Sequence, residues 1–235
     1  MAESIDPTTL FYALLGGILP AVLWLWFWLK EDARKPEPRG LILMSFIAGM
    51  AAVIIVLPLE KLASVFFAST SLSLLIVWSA IEEIVKYSAI TLVALKSKYF
   101  DEPIDALIYM ITVALGFAAL ENSMFLIKPL LNGDITVSFL TGNLRYMGAT
   151  LLHVAASASI GVALGLSFYK GPFIKTLSTI IGLSTAIALH TFFNFFIIRN
   201  NGEDTFTVFL YLWMAVVVVI FLFEKVKRIK NQQKI

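Results

Sequence analysis

Six ionisable side chains stand inside long apolar runs: Glu82, Glu83 and Lys86 in Ile81-Glu82-Glu83-Ile84-Val85-Lys86, then Glu121, His153 and His190. The two histidines are all that the chain contains. A charged group at the centre of a membrane costs roughly 2.5–3.5 kcal/mol on insertion scales, so such groups turn toward a bundle interior, a water-filled cavity or one another. Carboxylates and imidazoles gathered in a recessed site are the groups that activate water, with a carboxylate as general base. Two histidines with one or two carboxylates also match the donor set of a hydrolytic zinc site that keeps an open position. The chain has no HExxH, which excludes the common zinc-protease helix but not a site assembled from separate helices. Lys86 stands at i+4 from Glu82 and i+3 from Glu83, the spacing of a helical ion pair. One lysine does not neutralise three carboxylates, and an ion pair does not account for the histidines.

These residues need a scaffold, and the composition names it. Of 235 residues, 59% are hydrophobic and 14% charged, against roughly 25% charged in a soluble domain; the mean hydropathy is +0.87. The apolar stretches are continuous and rich in Leu, Ile, Ala and Phe rather than alternating, which excludes a β-barrel. A net charge of +2 carries no nucleic-acid signature. With no cysteine there is no disulfide framework, thiolate metal site or cysteine nucleophile. The expected fold is all-α, a polytopic transmembrane helix bundle forming one integral membrane domain over residues 1–235.

Seven spans are expected, near Thr9 to Leu29, Gly40 to Leu57, Ser73 to Leu95, Asp105 to Ile127, Asn143 to Tyr169, Phe173 to Ile198 and Thr205 to Phe223. At 1.5 Å per residue each crosses a hydrocarbon core of about 30 Å. The short apolar segment from Leu62 to Leu72 is read as a re-entrant or interfacial piece, or as an early part of the third span. The first span follows Glu3 and Asp6, with no preceding Lys or Arg, and reads as a retained anchor rather than a cleaved signal. Trp24, Trp26, Phe27 and Trp28 near its end read as an interfacial aromatic belt. The run Asp101-Glu102-Pro103-Ile104-Asp105 reads as a helix start.

Loop charges orient the bundle. Lys30, Arg34, Lys35 and Arg39, then Lys96 and Lys98, then Lys170 and Lys175, and finally Lys225, Lys227, Arg228, Lys230 and Lys234 fall on one side. Only Lys61, Lys128, Arg145 and Arg199 fall on the other. The N-terminus is therefore expected outside and the C-terminus in the cytoplasm. Measured from the outer span ends at 1.5 Å per residue, Glu82, Glu121, His153 and His190 all lie about 9–15 Å deep. Four spans of alternating direction thus place their polar residues in one layer of the outer half. Small residues beside them, Ala149, Ala156 and Ser157 around His153, Gly161 and Gly165 farther on, and Gly182 and Ala186 before His190, mark faces on which helices approach closely. Asn194 follows His190 by one turn and can donate or accept a hydrogen bond there.

From about residue 75 to 200 the chain resembles the PrsW family of intramembrane proteases. Glu82-Glu83-x-x-Lys86 matches its EExxK signature, followed in order by the acidic stretch Asp101 to Asp105, Gly116 to Asn122 with Glu121, His153, and His190 with Asn194. In the wider superfamily of CAAX-processing endopeptidases, an arginine stands one place beyond the position of Lys86, and a phenylalanine stands where Ala149 precedes His153. His190-Thr191-Phe192-Phe193-Asn194 alone fits that superfamily's HxxxN. The resemblance implies a protease that cuts a single-pass, membrane-anchored protein such as an anti-sigma factor on the extracytoplasmic side. It implies Glu82 or Glu83 as base, His153 and His190 either holding Zn2+ with Glu121 or polarising the scissile carbonyl, and Asn194 supporting the oxyanion. The alternatives are a CAAX-type or bacteriocin-immunity endopeptidase and, from another class, a proton-coupled carrier. A carrier would spread titratable groups through both halves of the membrane.

Overall fold

The computed structural model describes residues 6–31, 35–69, 71–199 and 205–230. Glu3, Arg34 and Lys234, and the side chain of Arg199, lie outside the described residues. Among those described, all regular structure is helical: α1 (Pro7–Glu31), α2 (Arg39–Phe66), α3 (Leu72–Val93), α4 (Asp105–Leu131), α5 (Ile135–Leu144), a π-helical turn (Arg145–Ala149), α6 (Thr150–Leu166), α7 (Pro172–Arg199) and α8 (Thr205–Lys227). The π turn joins α5 to α6 without a break, so Ile135–Leu166 forms one continuous candidate span. With it, α1, α2, α4, α7 and α8 make 6 helices long and apolar enough to cross a membrane. Helix α3 is long enough, about 33 Å at 1.5 Å per residue, but Glu82, Glu83 and Lys86 interrupt its apolar run. The chain is a polytopic helical bundle.

Two boundaries differ from expectation. The segment from Leu62 is neither re-entrant nor part of α3, because α2 continues through Pro58 to Phe66 and the chain then turns. A helix-internal proline removes one backbone hydrogen bond, and α2 tolerates this while packed between α3 and α4. Ser71 then caps α3, its hydroxyl accepting from the Leu74 N–H at 3.2 Å. The fifth span begins at Ile135 rather than near Asn143, because the Asp134 carboxylate accepts from the Val137 N–H at 2.9 Å and starts the helix early.

Helix α4 is the centre. Every residue from Ala106 to Ala119 is buried, as befits a helix apolar on all faces. Helices α1, α2 and α6 surround it. A Cβ at Gly161 would stand 2.8 Å from the Leu107 Cα, and one at Gly165 would stand 2.7 Å from the Pro103 carbonyl oxygen. The small-residue face of α6 is therefore what lets α6 lie directly on α4. Gly182 does the same for α7 against α6, a Cβ there meeting the Ala163 Cβ at 2.8 Å. Helix α3 closes against α2 and α7, and α8 leans on α6. Of the expected aromatic belt, Trp26 is exposed beneath the Lys30 ammonium at 3.6 Å. Trp28 departs from it: the ring is buried against Phe223 of α8, centroids 5.6 Å apart, and belongs to the core.

At one end of the bundle, Lys35 pairs with Asp101 at 2.7 Å and Glu102 at 3.3 Å. The Asp101 carboxylate holds Lys35 above the ordinary lysine range. Glu102, Tyr169 and Lys227 line one hollow there, so the loops after α1, α3 and α6 and the end of α8 gather together. Asp105 stands in the first turn of α4, as expected, and its carboxylate turns back over the preceding residues. Its Oδ2 accepts the N–H groups of Asp101 at 2.8 Å and Glu102 at 2.7 Å.

Candidate active site

One stripe of α3, containing Ser79, Glu82, Glu83 and Lys86, is buried. The Lys86 ammonium donates to Glu83 Oε1 at 2.8 Å and Glu82 Oε2 at 3.3 Å, lies 2.8 Å from His153 Nδ1, and sits 4.2 Å above the Phe117 ring. An ammonium can only donate, so His153 Nδ1 is the acceptor. The ring proton is then on Nε2, which lies 3.0 Å from Glu121 Oε2 and donates to it. Lys86 and Glu121 thus fix one tautomer of His153 from opposite sides. His190 is held the other way round. Its Nδ1 donates to Glu83 Oε1 at 3.0 Å, and its Nε2 lies 3.8 Å from Glu82 Oε1. The two imidazoles meet edge to face, centroids 5.1 Å apart.

The adjacent glutamates stand in different surroundings. Glu83 is fully buried: Oε1 receives Lys86 and His190, and Oε2 accepts the Ser157 hydroxyl at 2.8 Å. The Glu82 side chain keeps 7% exposure and lines a cavity of about 690 Å³. That cavity is also reached by Glu60, Arg145, His153, His190 and Asn194, between apolar walls from α2, α4, α7 and α8. Lys86 and Glu83 lie behind it.

The shared layer expected from four separate spans is thus a contiguous cluster, and Asn194 lines the same cavity as His190. Sequence reasoning left out the cluster's outer rim. Arg145, counted as a loop charge, is the first residue of the π turn and ion-pairs with Glu121. Its Nε donates to Asn122 Oδ1 at 2.6 Å, and its guanidinium stacks 3.8 Å over Phe125. Asn122 in turn donates to Thr150 at 2.9 Å. The available signal was an arginine inside a long apolar run; π turns recur at functional sites. Glu60 lies beyond the second span expected to end near Leu57, but α2 runs on through Pro58 to Phe66. With α2 continuing, its carboxyl faces Glu82.

Glu82, Glu83, His153 and His190 each offer a ligand atom, and the four atoms lie within 4.8 Å of one another. Glu121 is outside this group, on the far nitrogen of His153. Two carboxylates and two imidazoles are a donor set that suits a divalent ion. Three of the four already converge on a positive charge, the Lys86 ammonium.

A family described as "PrsW family intramembrane metalloprotease" matches residues 37–222. A Protease PrsW of Geobacillus kaustophilus is 28% identical over 166 residues, covering 70% of this chain and 68% of its own. One of Halalkalibacterium halodurans is 29% identical over 164 residues, covering 69% and 70%. One of Oceanobacillus iheyensis is 28% identical over 213 residues, covering 90% and 93%. No solved structure gives a significant match.

Proposed function

The chain belongs to the PrsW family of intramembrane metalloproteases, and on that premise we propose that Glu82 is the general base of a peptidase acting on a single-pass, membrane-anchored protein. The observation that carries this reading is the contrast between neighbours: Glu82 faces the cavity, whereas both oxygens of Glu83 are engaged behind it. A base must reach water and substrate. Glu83 is a positioning residue, which orients His190 through Nδ1 and anchors Lys86.

In this mechanism the Glu82 carboxylate takes a proton from water as the water oxygen bonds to the scissile carbonyl carbon. The same proton then passes to the departing nitrogen as the C–N bond breaks. Asn194, one turn from His190 on the cavity wall, donates to the carbonyl oxygen as charge develops there. Glu121 and Arg145 keep His153 oriented at the rim. His153 and His190 would hold the family's metal ion, His153 in exchange for its contact with Lys86 or Glu121; when bound, the ion would supply Lewis-acid polarisation and a more acidic water.

The charge distribution supports an N-terminus outside and a C-terminus in the cytoplasm, with the cavity in the outer half. The cavity wall includes Ile198 and Thr205, where α7 ends and α8 begins, whereas the Lys35–Asp101 pair marks the opposite end. Cleavage would then fall on the extracytoplasmic side of a substrate resembling an anti-sigma factor.

The test uses wild-type protein purified without added zinc and reconstituted with a single-span substrate, beside His153→Ala and His190→Ala. The expected result is about one bound ion per wild-type chain, with loss of both ion and cleavage in each variant. A metal-free wild type with full activity would remove the ion from the mechanism. A wild type that cleaves no single-span substrate would remove the protease reading.

A further inference from the structure

A second hollow lies beside the catalytic cavity. It is a cleft of about 90 Å³ between α7 and α8, floored by α6, and its lining is apolar apart from Tyr211. Leu152 and Phe193 line both this cleft and the catalytic cavity. They are the chain neighbours of His153 and Asn194, so the wall between cleft and cavity is one residue thick beside the polar layer. The closing element is aromatic: Phe193 of α7 stacks on Phe209 of α8, centroids 6.1 Å apart at an interplanar angle of 15°. The π turn completes the closure. A Cβ at Gly148 would meet the Phe209 ring at 2.6 Å and Phe193 at 3.3 Å, so glycine is what lets this turn press against both rings.

Helix α8 buries one face along its whole length, through Val208, Leu212, Val216, Val219, Phe223 and Val226, and exposes the other. Toward its inner end Phe223 packs on Trp28, Val226 lies against Gly165, and Val219, Phe223 and Val226 are buried. Toward its outer end Phe206, Leu210, Tyr211 and Met214 are exposed on the bundle's outer surface. Phe192 of α7, also exposed, touches Tyr211 across the seam at 6.5 Å between ring centroids.

We propose that the seam between the outer halves of α7 and α8, closed by the Phe193–Phe209 stack, is a lateral door through which the membrane-spanning segment of a substrate reaches the cavity. This rests on the protease reading above. The occupant follows from position and chemistry. The cleft is apolar, faces the hydrocarbon and is continuous with the polar layer, so a segment sliding in from the bilayer keeps its side chains in an apolar setting while its backbone nears Glu82. At 90 Å³ the cleft holds only about three waters' worth of liquid volume. A polypeptide passes only if the outer part of α8 swings from α7, about the inner contacts at Phe223 and Val226.

The absence of cysteine from the chain makes the test clean. Phe192→Cys with Tyr211→Cys is bridged by a short bifunctional methanethiosulfonate, and each preparation is compared with itself before bridging and after reduction. Two substrates are used in proteoliposomes: a single-span protein, and a short water-soluble peptide carrying the same cut site, which reaches the cavity from its outer mouth. The expected result is a fall of about tenfold or more in cleavage of the single-span protein, in step with the bridged fraction and reversed by reductant, with peptide cleavage unchanged. Undiminished cleavage of the single-span protein by bridged enzyme overturns the door, as does equal loss with both substrates. A second variant, Phe209→Ala, opens the closure instead. It is expected to raise the ratio of single-span to peptide cleavage by roughly two- to tenfold, and an unchanged or lower ratio overturns the proposal. Wild-type enzyme that cleaves neither substrate refutes the protease reading rather than the door.

Discussion

Two clusters bury carboxylates in this bundle, about 24 Å apart along α4 at 1.5 Å per residue, and they are built to opposite ends. Around Asp105, the carboxylate oxygen receives two backbone N–H groups, the Tyr109 hydroxyl donates to Glu37, and Lys35 pairs with Asp101. The partners there tie loops to one another and to the start of α4, and no imidazole takes part. Around Glu82, the partners are side chains from α3, α6 and α7, two of them imidazoles, and the cluster opens onto a cavity of about 690 Å³. Burial of an acid is therefore a poor marker of chemistry in itself. A carboxylate with spare acceptor capacity facing space, backed by a fully engaged carboxylate, is the better one.

Substitutions that separate the two clusters sharpen this contrast. The largest effect is expected for Glu83→Gln. It removes the charge that faces Lys86 and His190 in a sealed site and costs about 3–5 kcal/mol, read as a lowered unfolding midpoint, and cleavage falls with it. Ser157→Ala leaves Glu83 Oε2 without its donor and is expected to cost about 1–3 kcal/mol, with a smaller loss of kcat and little change in KM. If its stability matched wild type, Glu83 would be less tightly engaged than the geometry indicates. Asp105→Ala leaves the Asp101 and Glu102 N–H groups, at a part-buried turn that water reaches from the loop side, without their acceptor. It should cost about 1 kcal/mol and leave kcat unchanged; a large loss of kcat would dissolve the distinction between the clusters. Lys35→Ala is the smallest, under about 1 kcal/mol for a half-exposed pair. Because Asp101 raises the lysine's pKa, the pair's contribution is intact below the ordinary lysine value. It is lost only as pH rises through the raised one, so stability measured between about pH 6 and pH 9 should show no trend from it.

Much of this was legible in the sequence, because hydrocarbon makes strong demands. Charge is so costly there that Glu82, Glu83, Lys86, Glu121, His153 and His190 stand out against apolar runs, and helical rise is regular enough to place four of them in one layer. That α6 carries a close-packing face was equally readable from Gly161 and Gly165, though not that α4 lies against it. What could not be read depended on contacts between distant residues. Arg145 looked like a loop charge because nothing local marks a π turn or its pairing with Glu121. Glu60 fell outside a second span expected to end near Leu57, whereas α2, supported on two sides, runs on through Pro58 to Phe66. Trp28 passed for a belt residue because only the packing of α8 reveals it as core. The different surroundings of Glu82 and Glu83, adjacent and chemically alike, are set by Ser157 and His190 on other helices.

The central claim is that Glu82, not Glu83, handles the proton of the attacking water. It is tested most directly by measuring kcat for a single-span substrate with Glu82→Gln in proteoliposomes, alongside its unfolding midpoint. The account predicts a fall in kcat of roughly 10²–10⁴-fold, with less loss of stability than Glu83→Gln suffers. A Glu82→Gln protein that cleaves at the wild-type rate would contradict it.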